Sequence, residues 1–321
     1  MKAMQVIDYD QPLVLNEIPI PAPDTGQVTV KIHTCGLNFG DLLIIRGTYQ
    51  EKPQRPFTLG MEICGTVTAL GNGVSGLQIG DRIASYTGFG GLAEYATIPA
   101  DICVQLPSQM PNTDAAAFLV AYGTSHVALD YKAHLQPGER LLVLGASGGV
   151  GLTAVELGKL MGAEVIACAR GPEKLKVAKA AGADHLINSD TDDIRDIVRK
   201  LGGADVVYDP IGGDQFKAAL RACNPEARLL PLGFASGEVP QIPANILLVK
   251  NLTVIGYYWG GYSKVKPSVL TDSFAQLITW YQQGKLKPHI SHTLTLEHAN
   301  EALDLLRNRK ATGKVIIQIS E

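Results

Sequence analysis

The sequence predicts an α/β protein in two parts, a β-rich module followed by a doubly wound parallel sheet. Three observations predict it. A length of 321 residues exceeds what one hydrophobic core usually organises. The first third carries short β-branched or alternating runs separated by Gly/Pro turns. After about residue 117, short apolar runs alternate with helical stretches at strand–helix–strand spacing.

In the first third the strand candidates are QVTVKIHTCG (27–36), GTVTALG (65–71) and GDRIASY (80–86). PIPAPDTG (19–26), GNGVSG (71–76) and GFGG (88–91) supply turns, so a barrel-like or sandwich module is expected. From residue 141 the candidates are LLVLG (141–145), EVIACA (164–169), HLIN (185–188), DVVYD (205–209), RLLPLG (228–233) and LTVIGY (252–257), with helical patterns between them. Residues 267–310 read as helical, and KVIIQI (314–319) reads as a last strand that returns to the first module. The expected domains are 1–117 with 267–321, and 118–266.

Bulk chemistry narrows the function. Net charge is −3 and there is no basic block, so no nucleic-acid partner is expected. No apolar run approaches the roughly 18 residues a membrane span needs. MKAMQVIDYD lacks the apolar core of a signal peptide. The five cysteines, Cys35, Cys64, Cys103, Cys168 and Cys223, are scattered and form no CxxC pair. A reducing cytoplasm is expected, without a disulfide framework or a cysteine-rich zinc knot.

In LLVLGASGGVG (141–151) an apolar run ends in glycine. The spacing Ala146-x-Gly148-x-x-Gly151 at a strand-to-helix turn fits a dinucleotide fingerprint. Gly148 would let backbone N–H groups approach a pyrophosphate at the helix N-terminus, and Gly151 would let the helix pack closely on the sheet. Ser147, Gly148, Gly149 and Val150 would line that pyrophosphate. An NAD site usually places an acid at the end of the next strand. Here that strand ends Cys168-Ala169-Arg170, and Lys174 follows. Arg170 and Lys174 read either as partners of a 2′-phosphate, which favours NADPH, or as two solvated charges at a helix start.

GASGGVG, AYGTSHVALDYKAHLQPGERLLVLG and GFASGEVPQIPANILLVKNLTVIGYYWG together resemble the zinc-independent quinone oxidoreductases, the zeta-crystallin-like branch of the medium-chain dehydrogenase/reductase superfamily. The resemblance covers essentially the whole chain. It implies a GroES-like β domain built from the N-terminal part plus the tail, a Rossmann domain inserted between them, and a cofactor in the cleft. Where zinc-dependent relatives carry metal ligands, this sequence has Asn38 (in CGLNFGD) and Met61 (in LGMEICG). An amide and a thioether are poor zinc ligands, so no metal is expected. Without a cation to stabilise an alkoxide, the chemistry that remains is NADPH-dependent reduction of a quinone or other α,β-unsaturated carbonyl.

The resemblance further implies roles for named residues. Asn38 would hydrogen-bond near the nicotinamide or the acceptor carbonyl, and Tyr49 would touch cofactor or substrate, with proton donation as one role. Thr124, Gly233, Phe234, Ser236, Tyr257, Tyr258, Trp259 and Lys314 would lie near the cofactor. Phe234 and the aromatic cluster read equally as core or interface plugs. Ser189 reads as an adenosine-phosphate contact or as the N-cap of the following helix. Asp41 reads as a loop-ordering cap, and Asp209 as the residue that fixes the turn after its strand. Edge-to-edge homodimerisation through LTVIGYYWG is implied as well. A trans-2-enoyl thioester reductase and an NADPH-binding protein with little turnover are the alternative readings.

Overall fold

In the computed structural model, which describes residues 1–320, the turn-punctuated runs of the N-terminal third form eight strands. These are β1 (Lys2–Val6), β2 (Val14–Glu17), β3 (Gln27–Leu37), β4 (Phe57–Thr58), β5 (Glu62–Leu70), β6 (Arg82–Tyr86), β7 (Tyr95–Pro99) and β8 (Cys103–Gln105). Helix α1 (Phe39–Ile45) follows β3, and α2 (Asn112–Ala116) follows β8. β3 is central: it pairs antiparallel with both β5 and β7. Its β-branched Val28, Val30 and Ile32 are fully buried beside Ile63, Val67, Ile83 and Ile98. β1, β2 and β4 form a separate small sheet.

The second unit holds α3 (Leu119–His126), β9 (Arg140–Leu144), α4 (Gly149–Leu160), β10 (Glu164–Ala169), α5 (Gly171–Ala180), β11 (His185–Asn188), α6 (Ile194–Lys200), β12 (Ala204–Asp209), α7 (Gly213–Ala222), β13 (Cys223–Pro231), α8 (Ala244–Lys250), β14 (Thr253–Val254), α9 (Tyr262–Val265) and α10 (Pro267–Gln282). All six expected strands are present. They are parallel in the order β11-β10-β9-β12-β13-β14. The order reverses between β9 and β12, which makes the carboxyl ends of those strands a switch point. Leu141, Leu142, Val143 and Leu144 have no exposure, as a strand covered on both faces requires. Each such side chain contributes about 1.5–3 kcal/mol of apolar burial. The run at 252–257 is strand only over Thr253–Val254, because β14 has one neighbour and the chain departs at the exposed Gly256.

The chain then supplies β15 (Ile290–Thr295), α11 (Ala299–Arg307) and β16 (Lys314–Gln318). As expected, β16 returns to the first module, pairing antiparallel with β3 from Val315↔Leu37 to Gln318↔Thr34. The compact units are residues 1–120 with 288 onward, and 121–287. The second boundary thus falls at 287 rather than 266. The reason is α10: Leu277 is fully buried, Ser273 Oγ lies 2.9 Å from His126 Nδ1, and Phe274 meets Trp259 edge-on, all within the second unit.

Candidate functional site

In the second unit the site begins where β9 runs out of side chains. Gly145 has φ +60°, and a Cβ on Gly151 would lie 2.2 Å from the Gly145 carbonyl oxygen. Gly151 is therefore required by the fold, because α4 passes directly over the strand end. Gly148 differs. A Cβ there would meet nothing closer than 3.5 Å, so packing does not demand a glycine. It is the N-cap of α4, and it leaves a backbone cradle open at the end of a twelve-residue helix. The first-turn N–H groups of such a helix have no intrahelical acceptor and favour an anion. Ser147 is buried, while Gly149 and Val150 are half-buried in that turn. The residues fit a dinucleotide pyrophosphate.

The turn is held from beneath by hydroxyls that sequence reasoning missed. Ser125 Oγ lies 2.8 Å from both Thr153 Oγ1 and Tyr208 OH, and donates to the Val150 carbonyl at 2.9 Å. Thr153 also donates to the Ala121 carbonyl at 3.0 Å. Burial pushes the Tyr208 hydroxyl well above its ordinary range, so it is a neutral member of the network. A tyrosine beside the two valines of the DVVYD strand was the legible signal, since a buried phenol needs a partner.

The other expected residues follow neighbouring strand ends, and parallel strands bring those ends to one edge of the sheet. Arg170 follows β10 as the N-cap of α5 and pairs through Nε with Asp190 Oδ1 at 3.2 Å. Lys174 is half-buried in the first turns of α5. Ser189 follows β11 and donates its N–H to the Ala169 carbonyl at 3.0 Å. It does not cap the next helix: Asp193 does, accepting from the Asp196 N–H at 2.9 Å, because α6 begins four residues later than Ser189 allows. Asp209 fixes the turn after β12 by accepting from the Ile211 and Gly212 N–H groups at 2.7 and 2.9 Å. Burial raises its carboxyl to about 6 against the pull of those donors.

After β13, Gly233 is half-buried and Ser236 donates its N–H to the Ile211 carbonyl at 2.9 Å. Phe234 is 40% exposed, which removes the core reading for it. After β14, the Tyr257 hydroxyl donates to the Thr124 carbonyl at 3.2 Å. Tyr258 is exposed, whereas Trp259 is buried against Gly123 and Phe274. Of the aromatic trio, Trp259 is thus a core plug.

The first unit holds a buried polar cluster. Lys314 Nζ, on β16, donates to Asn38 Oδ1 and to Glu62 Oε2, both at 2.7 Å. Asn38 Nδ2 donates to Glu62 Oε2 at 3.1 Å and to the Gly36 carbonyl at 3.2 Å. Glu62 Oε1 accepts from the Val120 N–H at 2.9 Å. The Asn38 amide, expected to face cofactor or substrate, is engaged in this cluster instead. Asp41 caps α1 as expected, accepting from the Asn38 N–H at 2.8 Å, and burial pushes its carboxyl up to about 7. Glu62 was missed; a carboxylate in the apolar MEIC run was the signal that a buried cation had to be near.

Met61 is buried, and a Cβ on Gly40 would lie 2.6 Å from its Cε and 3.5 Å from a Tyr49 ring carbon. Tyr49 is half-buried and lies against this core. Among the described residues no group of three or more His, Cys, Asp or Glu is placed to hold a metal. At Asn38 and Met61 the donor set does not fit zinc, and the Lys314 ammonium already occupies the two nearby side-chain oxygens.

Two family models match: "Alcohol dehydrogenase GroES-like domain" over residues 24–108, and "Zinc-binding dehydrogenase" over residues 149–280. A quinone oxidoreductase-like protein 2 homolog from Nematostella vectensis is 41% identical over 100% of this chain and 89% of its own. The Escherichia coli quinone oxidoreductase, solved in complex with NADPH, is 27% identical with a TM-score of 0.92, covering 99% of this chain and 100% of that one. The quinone oxidoreductase of Thermus thermophilus, also solved with NADPH, is 30% identical with a TM-score of 0.88 over 99% and 100% of the two chains.

Proposed function

The chain belongs to the quinone oxidoreductase branch of the medium-chain dehydrogenase/reductase superfamily, and on that footing we propose that it reduces quinones or other α,β-unsaturated carbonyls with NADPH and without zinc. The observation that carries this reading is the cradle at Gly148, a glycine the fold does not need, at the start of α4. The NADPH complexes of the Escherichia coli and Thermus relatives support the choice of nucleotide.

Bound NADPH supplies a hydride, which a conjugated acceptor takes up with its charge delocalised into a carbonyl oxygen. The residues of this chain bind and orient. Backbone N–H groups from Gly149 onward neutralise the pyrophosphate. Arg170 and Lys174 take the 2′-phosphate, and the Arg170 fork does so by charge-assisted hydrogen bonds. The Ser125–Thr153–Tyr208 hydroxyls hold the turn in register. The Thr124 carbonyl fixes the Tyr257 ring by its hydroxyl. In the first unit Lys314 holds the Asn38 amide in one orientation, and Tyr49 presents a phenol as the candidate proton donor.

Zinc has no place in this proposal. A second cation at Asn38 and Met61 would lie beside the Lys314 ammonium and lack anionic ligands of its own. Among the described residues no helix is long and apolar enough to cross a membrane. A cytoplasmic location is part of the same proposal, and so is a homodimer; the dimer is supported by Leu248 and Val249, which are 77% and 76% exposed on α8, and by the one-sided edge strand β14.

Initial rates of NADPH and NADH oxidation with phenanthrenequinone, an enone and crotonyl-CoA test the reading. Oxidation of NADPH by the quinone or the enone is expected. Faster turnover of crotonyl-CoA would assign a thioester reductase instead. Tight NADPH binding with no oxidation by any of the three would leave a binding protein.

A further inference from the structure

Asp190 enters no reading given so far, yet it sits where the nucleotide specificity is decided. Its Oδ1 lies 3.2 Å from Arg170 Nε, and the two side chains are 48% and 55% exposed. Asn188 sets the pair. Its side-chain oxygen accepts from the Gly171 N–H at 2.9 Å and from the Asp190 N–H at 3.2 Å. The start of α5 and the loop after β11 are thereby tied to one amide, which puts the guanidinium and the carboxylate side by side. Asn188 is itself held by Asp192, whose Oδ2 accepts from the Asn188 N–H at 2.8 Å. The pairing thus follows from a hydrogen-bonded loop and not from a chance meeting of two long side chains.

From this geometry, and resting on the dinucleotide reading above, we infer that Asp190 is a specificity-determining residue that holds Arg170 in an internal ion pair and so narrows the preference for NADPH over NADH. The two nucleotides meet the pair differently. A 2′-phosphate that engages Arg170 either displaces the Asp190 carboxylate from Nε or takes the remaining guanidinium N–H groups beside it, and in both cases it stands near a like charge. A 2′-hydroxyl carries no charge and can donate a hydrogen bond to the same carboxylate with the ion pair intact. The chain therefore has the cation of an NADP site at the end of β10 and an acid of the NAD type one strand further on.

The test is direct titration of NADPH and NADH into wild type, Asp190→Asn, Arg170→Ala and the double variant. Both side chains are half-exposed, so the fold is expected to tolerate all three, and Asp190→Ser serves as an independent check. Asp190→Asn is expected to tighten NADPH about three- to tenfold, the range for losing an exposed ion pair plus a like-charge contact, and to leave NADH unchanged or weaker. In the Arg170→Ala background the gain is expected to fall below about twofold, because the released group is then missing. Equal tightening of both nucleotides, no tightening of NADPH, or the same gain with and without Arg170 would overturn the inference. Failure of the wild type to bind either nucleotide would instead remove the dinucleotide reading, and this inference with it.

Discussion

Lys314 Nζ lies 2.7 Å from Glu62 Oε2, with the two side chains 5% and 0% exposed. One residue comes from the returning strand β16 and the other from β5, so a buried ion pair joins the tail to the N-terminal sheet. Removing one partner of such a pair leaves an uncompensated charge where water cannot reach it. Lys314→Met is expected to cost about 3–5 kcal/mol. Adding Glu62→Gln should recover a large part of that. Urea unfolding of wild type, single and double variants checks this, and a single-variant loss below about 1 kcal/mol would show that the charge is solvated.

The same ammonium argues a metal prediction. Dialysis against a chelator is expected to leave quinone reduction unchanged, and elemental analysis to find no stoichiometric zinc. Loss of activity that added zinc restores would contradict it.

The two glycines of the elbow should behave oppositely. Gly151→Ala drives a Cβ to 2.2 Å from backbone and should lower the melting temperature sharply. Gly148→Ala has room and should change stability by no more than about 1 kcal/mol. It should nevertheless weaken NADPH at least about tenfold, because its methyl enters the cradle. Unimpaired NADPH binding by Gly148→Ala would move the pyrophosphate elsewhere.

Asp41 should leave a pH signature. Burial raises its carboxyl to about 7 in the folded protein, above its unfolded value near 4. Between those values the folded state holds a proton that the unfolded state has lost, so this group's contribution to stability falls as pH rises from about 4 to about 7, then levels off. Asp41→Asn cannot titrate and should flatten that slope. Melting temperatures of the two proteins at matched pH test it; parallel curves across the window would mean the carboxyl is ionised throughout.

Tyr49→Phe separates proton donation from positioning. If the phenol supplies a proton, turnover of enones should fall more than turnover of quinones, whose charge spreads over the ring system. Equal losses would leave Tyr49 a packing role beside Met61 and Gly40.

Much of this was legible in the sequence for physical reasons. The six parallel strands show as continuous apolar runs because a covered sheet tolerates little else, and the elbow shows because backbone close approach leaves only glycine. The β16 return was legible because KVIIQI follows the last strand expected of the parallel sheet. The placement of α10 was not, because an amphipathic helix states that it has a partner without stating which one.

By itself, then, the sequence determined the fold class, the strand order's raw material and the backbone cradle, since periodicity and glycine spacing are local properties. Only the tertiary structure decided where charges meet. Lys314 reaches Glu62 across 252 positions, and Asp190 reaches Arg170 through an amide on a third residue. Electrostatic partners act through distances of a few ångströms in space, and no periodicity along the chain records them.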